Sequence, residues 1–279
     1  MSRQLTRQEP VRAVAPPPAA EPIDALSLDL SDARVLIGSD LHAWPGIITT
    51  GMRSFLWAAK KLKPDVICLN GDTIDGATLS RFPRSGWDLR PSLKQEIQAA
   101  QAFLADVRKA SPKAHHVLVR GNHCQRVENA LANKVPEFEG MLGTRFEDLF
   151  PDWTVCWSLE LPGTTIKHRW HNGQNATRQN ALKSGRHYVT GHLHSLQTTA
   201  LTDLGGTRFG VDTGTLADPY GPQFRYCEGA PRDHRSGWVL LNYQDGKLLW
   251  PEIGAVTDER AGEFCFRGRI EQVQPRSLH

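Results

Sequence analysis

The chain has 279 residues, of which 39% are hydrophobic and 23% charged, with a mean hydropathy of −0.42. That length supports one or two domains with a sizeable core, and the composition excludes collagenous, coiled-coil and wholly disordered chains. With 33 basic and 30 acidic residues the net charge is +3, which neither demands nor excludes a polyanionic partner, and no apolar run approaches the roughly 18 residues of a membrane span.

Residues 1–30 contain PVRAVAPPPAAEP, with too little bulk to offset chain entropy, so a disordered tail is expected there. The start, MSRQLTRQEP, lacks the apolar stretch of a secretory signal. A single domain is expected over 31–258. RVLIGS (34–39) reads as a buried strand, 47–62 as a helix closed by Pro64, and DVICL (65–69) as a second buried strand. Ser92 with Gln95 resembles a capping box opening a helix that runs to about Ala110. HVLV (116–119) is the third strand. After an irregular, partly helical stretch, 154–161 and 164–170 read as a hairpin about Pro162-Gly163, 176–183 as a helix, and HYVT (187–190) as a strand. Residues 196–255 read as β throughout, with a hairpin at Asp245-Gly246, and 259–279 as a polar tail. Strand–helix alternation followed by strands predicts an α/β fold, a mixed sandwich rather than a purely doubly wound sheet. The five cysteines are odd in number and form no CxxC pair, so they read as reduced, mostly buried thiols of a cytoplasmic protein.

Each apolar run gives way at once to residues of ligand type. RVLIGS leads to Asp40-Leu41-His42, DVICLN to Gly71-Asp72-Thr73-Ile74-Asp75, HVLVR to Gly121-Asn122-His123, the strand ending at Trp170 to His171, and HYVT to Gly191-His192-Leu193-His194. Ligand sites in α/β sheets form at the carboxyl ends of strands, so the five loops are expected to converge. They would deliver Asp40, His42, Asp72, Asn122, His171, His192 and His194. This mixed oxygen and imidazole set suits manganese, iron or zinc and is too rich in histidine for a calcium or magnesium cage. It exceeds the needs of one tetrahedral ion and suits two, with a carboxylate between them. The glycines at 71, 121 and 191 let the backbone approach the ions.

The ordered set DLH, GDTID, GNH, an isolated His and GHLH, spread over about 34–215, resembles the calcineurin-like metallophosphoesterase superfamily. The resemblance implies two facing mixed β-sheets flanked by helices, a four-layer α/β/β/α sandwich. It implies two divalent metal ions, manganese first, with iron, zinc, nickel or magnesium as alternatives. Asp40, His42 and His194 would hold the first ion, Asp72 would bridge both, and Asn122, His171 and His192 would hold the second. His123 would lie near the leaving group as general acid, oriented by Asp75, while a hydroxide between the ions attacks phosphorus.

The substrate is less legible. The protein phosphatases of the superfamily carry GDxVDRG and GNHE, where this chain has Gly76 and Cys124, so that branch is disfavoured. Arg81 and Arg84 in TLSRFPRSGWDLR, interleaved with Phe82 and Trp87, and Arg126 behind His123 are candidate substrate contacts. Together with GVDTGTLADPY, which holds Asp212, they resemble phage and prophage metallophosphoesterases. The expected substrate is a phosphodiester of DNA, RNA or a nucleotide. The alternatives are a phosphomonoesterase or protein phosphatase, and a catalytically silent interaction module. No membrane partner is expected, and the oligomeric state is left open.

Overall fold

Local chemistry explains where most elements begin and end in the computed structural model, which describes residues 23–82, 84, 86–227 and 233–274. Strand β1 (Ile23–Ser27) precedes β2 (Ala33–Gly38) and helix α1 (Thr50–Leu62). The Thr49 hydroxyl accepts the Met52 N–H at 3.1 Å to open α1, and Lys63, at φ 48°, closes it just before Pro64. Strand β3 (Val66–Asn70) is followed by α2 (Leu93–Ala110). Its expected capping box is present: the Ser92 hydroxyl accepts from Gln95 N–H at 3.3 Å and Gln95 Oε1 accepts from Ser92 N–H at 2.9 Å. Then come β4 (His115–Val119), α3 (Gln125–Lys134), the single turn α4 (Phe146–Leu149), β5 (Thr154–Leu161), β6 (Thr164–Ile166), α5 (Ala176–Ser184) and β7 (His187–Thr190). The remaining strands are β8 (Gln197–Asp203), β9 (Gly206–Asp212), β10 (Gly237–Gln244), β11 (Lys247–Leu248), β12 (Glu252–Asp258), β13 (Glu263–Phe266) and β14 (Arg269–Gln272), and the described residues between β9 and β10 hold a 3-10 helix at Pro222–Cys227 rather than a strand, so the expected β structure throughout 196–255 is interrupted there. The β10–β11 hairpin turns at Asp245 and Gly246, both at positive φ, as a two-residue hairpin requires.

Hydrogen bonding runs in the order β14-β13-β12-β10-β2-β3-β4-β5-β6-β7-β9-β8. The neighbours β2, β3, β4 and β5 are parallel, and both ends of the ladder are antiparallel. The ladder folds over at β5 so that its halves face each other. Val35, Ile37, Val66, Cys68, Val117 and Val119 of the first half pack in one apolar core with Leu161, Ile166, Val189, Phe209 and Val211 of the second. The alternate residues Leu36, Ile67, Leu69 and Leu118 point the other way, into a core shared with Phe55 of α1 and Phe103, Leu104 and Val107 of α2. Helix α5 covers the far face, lying so close to β9 that a Cβ at Gly210 would collide with the Thr177 carbonyl. The expected four-layer sandwich is therefore the observed fold.

Three boundaries differ from expectation. Residues 23–27, placed in the N-terminal tail, form β1, which pairs parallel with β5 from Cys156 to Glu160; residues 1–22 of that tail lie outside the described residues. The stretch read as a polar C-terminal tail holds β13 and β14, and Phe264 and Phe266 enter the α1 core. The strand expected to reach Trp170 stops at Ile166. Among the described residues no helix is long and apolar enough to cross a membrane.

Candidate metal centre

The loops at the carboxyl ends of β2, β3, β6 and β7 place a ligand-type side chain two residues past the last strand residue: Gly38 to Asp40, Asn70 to Asp72, Ile166 to His168, and Thr190 to His192. Asp40, His42, Asp72, His192 and His194 all have positive φ, from 39° to 71°. A side chain with a Cβ enters this region at a cost of roughly 1–2 kcal/mol, so the turns are held by what surrounds them. Space is also short. A Cβ at Gly121 would collide with the Asp72 carboxylate, and one at Gly71 with the His168 ring.

Two donor groups result. Asp40, His42 and His194 form one, and Asp72, His168 and His192 the other; within each, one ligand atom per residue lies within 4.8 Å of the rest. His194 Nε2 is 3.0 Å from Asp40 Oδ1, and His42 Nε2 is 3.7 Å from the same oxygen. His168 Nε2 is 3.1 Å from Asp72 Oδ2 and 4.0 Å from Asp40 Oδ1, so the two groups adjoin. The group at Asp72 is completed by His168 and His192, while His171 lies outside it, its own Nε2 also buried without a hydrogen-bond partner. His171 sits farther along the loop, its N–H bonded to Asn180 Oδ1 at 3.1 Å and its ring stacked on Trp170. The cause is the short β6. Counting from Ile166, His168 occupies the position that Asp40, Asp72 and His192 occupy after their own strands.

The chemistry of these atoms fits cations. His42 uses Nδ1 on Asp75 Oδ1 at 3.0 Å, and His168 uses Nδ1 on the Asn70 carbonyl at 2.7 Å. The other ring nitrogen of each, Nε2, is buried with no hydrogen-bond partner, as are His194 Nδ1 and Asn122 Oδ1. An imidazole fixed through one nitrogen, with the other bare and turned toward a carboxylate, has the arrangement of a metal ligand. Burial opposes the charge on Asp40, but His194 and His168 beside it outweigh burial and hold it well below the usual carboxylate range. Asp72 is buried as well and is held low by His168 and His123. Burial opposes charge on His42 and His168 in turn. Asp40 and Asp75 raise His42 to about 10 nevertheless, and Asp72 and Asp40 raise His168 to about 9. Burial and the nearby His168 lower His192 to about 4. The buried carboxylates demand positive charge, which bound divalent ions would supply to the same oxygens.

Beside the donor groups stands a second constellation. Asp75 Oδ1 is 3.0 Å from His123 Nδ1 as well as from His42 Nδ1. Hydrogen bonds from both histidines hold its carboxyl low although burial works the other way. The His123 N–H donates to Asp72 Oδ1 at 2.8 Å, which seats the Asn122-His123 turn on Asp72. Arg126 donates Nη1–H to the Asp75 carbonyl at 2.7 Å and lays Nη2 3.1 Å from His123 Nε2. Of the expected substrate contacts, Arg126 is therefore at the site. Arg81 and Arg84 are exposed, and the Arg81 guanidinium lies over Phe82. Cys124 is buried, and burial together with Asp72 pushes its thiol up to about 12, too high for a reactive role.

Three further residues support the site from behind. Glu96 of α2 is buried and accepts the N–H groups of Gly76 and Ala77 at 2.5 and 3.0 Å, pinning the turn behind Asp75; burial raises it to about 7. Asp212 accepts the Ser195 and Gly214 N–H groups at 3.2 and 2.9 Å, bracing the chain next to His194. The Phe224 ring packs against the rings of His42 and His194, with centroids 5.5 and 5.1 Å away.

Residues 33–196 match the family model of calcineurin-like phosphoesterases. Among solved structures the chain is similar to YfcE, a phosphoesterase from E. coli, at 15% identity over 78% of this chain and 97% of that one, with a TM-score of 0.36. It is similar to the nuclease MPE of Pseudomonas putida at 15% identity over 78% and 86%, TM-score 0.33. A dimetal phosphatase from Danio rerio is 9% identical over 80% of this chain and 94% of that one, TM-score 0.37. No curated protein matches the chain.

Proposed function

This chain belongs to the calcineurin-like phosphoesterase family and is a metal-dependent phosphoric ester hydrolase, and from that premise we propose that it cleaves phosphodiesters of nucleic acids or nucleotides with two divalent ions. The observation carrying the reading is the pair of adjoining donor groups with bare, buried ligand atoms, set against the His123–Asp75 pair. Asp40, His42 and His194 would hold one ion, and Asn122, His168 and His192 the other, with Asp72 shared. Manganese is the first choice for this mixed oxygen and imidazole set. Ions bound there would supply Lewis acidity toward phosphoryl oxygens and water.

The chain's own residues do the rest. Asp75 takes the Nδ1 side of His123 and leaves Nε2 facing the site. Nε2 now meets the Arg126 guanidinium, which can only donate. An incoming phosphoryl oxygen is a stronger partner for that guanidinium than a neutral imidazole is. Drawn to the substrate, Arg126 would free Nε2 to carry the proton delivered to the leaving oxygen. Gly76 stands where the protein-phosphatase branch has an arginine, which favours a diester over a phosphoprotein.

Hydrolysis of bis-p-nitrophenyl phosphate by the manganese-loaded protein tests the activity; no hydrolysis together with no metal on elemental analysis would favour a silent module. Within the centre, His168→Ala is expected to lower bound metal from two ions per chain to about one, whereas His171→Ala keeps both. The reverse pattern in elemental analysis would return the ligand role to His171. Replacing Arg81 and Arg84 together should weaken nucleic-acid turnover and reduce the salt slope by about one to two counterions. An unchanged slope would remove both from the substrate path.

A further inference from the structure

Two surface segments meet beside the metal centre, and each carries exposed aromatic side chains. The first follows Asp75: the Arg90 guanidinium donates to the Ala77 carbonyl at 2.9 Å, drawing 86–90 back to the turn behind the His123–Asp75 pair. The second is 220–227, whose Phe224 packs on the His42 and His194 rings and whose Gln223 donates to the His42 carbonyl at 3.1 Å. Arg225 reaches Asp88 at 3.5 Å and ties the segments together. Trp87, next to Asp88, is 101% exposed; Tyr220 is 92% and Tyr226 56% exposed.

Single exposed apolar residues are ordinary, but three large exposed rings on two segments joined by an ion pair are not. Trp87 and Tyr220 are almost wholly in solvent, and Tyr226, half exposed, sets its ring edge-on to the buried Phe224 at 6.4 Å. Arginines precede two of the rings in the chain, while Asp218 holds the Tyr220 N–H at 2.9 Å. Arg81 and Arg84 precede Trp87, Arg225 precedes Tyr226, and Asp88, the acid beside Trp87, is already paired with Arg225. Flat rings set among guanidinium groups match a chain of unpaired bases on a phosphate backbone. A duplex keeps its bases stacked inside and offers such rings only its edges.

We propose that Trp87, Tyr220 and Tyr226 form a stacking rim that selects single-stranded nucleic acid and feeds it to the metal centre. This rests on the phosphodiesterase reading for its purpose but is tested by binding alone. The probe is a fluorescein-labelled oligothymidylate with phosphorothioate linkages, titrated into the metal-loaded full chain and followed by anisotropy. Trp87→Ala and Tyr226→Ala are each expected to raise the dissociation constant about tenfold for the single strand and much less for a duplex of matched length. Leu204→Ala, at an exposed position in the β8–β9 turn, serves as the control expected to bind like wild type. Binding within twofold of wild type for both aromatic variants overturns the rim, and so does an equal loss on single strand and duplex. Failure to hydrolyse bis-p-nitrophenyl phosphate counts against the enzymatic reading and leaves these binding outcomes to decide the rim on their own.

Discussion

Replacing His123 with alanine is expected to lower turnover about 10²–10⁴-fold on phosphodiesters with poor leaving groups, and far less on p-nitrophenyl esters. An alkoxide needs a proton as it departs, whereas p-nitrophenolate leaves without one. The surroundings of His123 suit it to deliver that proton, since its N–H is fixed on Asp72, its Nδ1 on Asp75, and its Nε2 opens beside Arg126. The contrast between leaving groups is decisive, because a ligand role predicts equal loss on both. That alternative has a structural basis, since His42, Asp75 and His123 also lie within ligand reach of one another. If the variant loses bound metal on elemental analysis, His123 is a ligand and the acid must be sought elsewhere.

Replacing Asp72 with asparagine should be at least as damaging. The two carboxylate oxygens of Asp72 do different work: Oδ1 accepts from the His123 N–H, and Oδ2 lies 3.1 Å from His168 Nε2. An amide of the same shape keeps the fold but removes the charge that would let one side chain serve two cations. Occupancy should fall below two ions per chain, and turnover by on the order of 10³-fold or more, given that an ion supplies several kcal/mol of charge stabilisation. Two bound ions with full activity would exclude the bridging role.

Legibility tracked sequence distance. Asp40, His42, Asp72, His192 and His194 were readable because each follows its strand within a few residues, and the strand announces itself as an apolar run. His168 was not, because β6 is three residues long and Trp170 extends the apolar pattern past its true end. Strand β1 reads as a weak segment in a proline-rich tail and exists through its pairing with β5, more than a hundred residues away. β13 and β14 are four residues each, and the phenylalanines that bind β13 to α1 reveal themselves only once α1 is in place. Glu96 illustrates the same limit within the site: in the sequence it reads as an ordinary helix glutamate, but it is buried against partners 19 and 20 residues earlier.

The left-handed backbone at five candidate ligand positions has an evolutionary corollary. At about 1 kcal/mol each, these turns together tax the fold by about 5 kcal/mol, comparable with the whole net stability of a modest domain. Glycine at any of them would relax the chain while discarding a candidate ligand. The same glycine would empty a buried space and orphan what the side chain holds, the His192 N–H at Asp40 and the His123 N–H at Asp72, so an inert descendant of this scaffold would gain backbone ease and lose packing in one step.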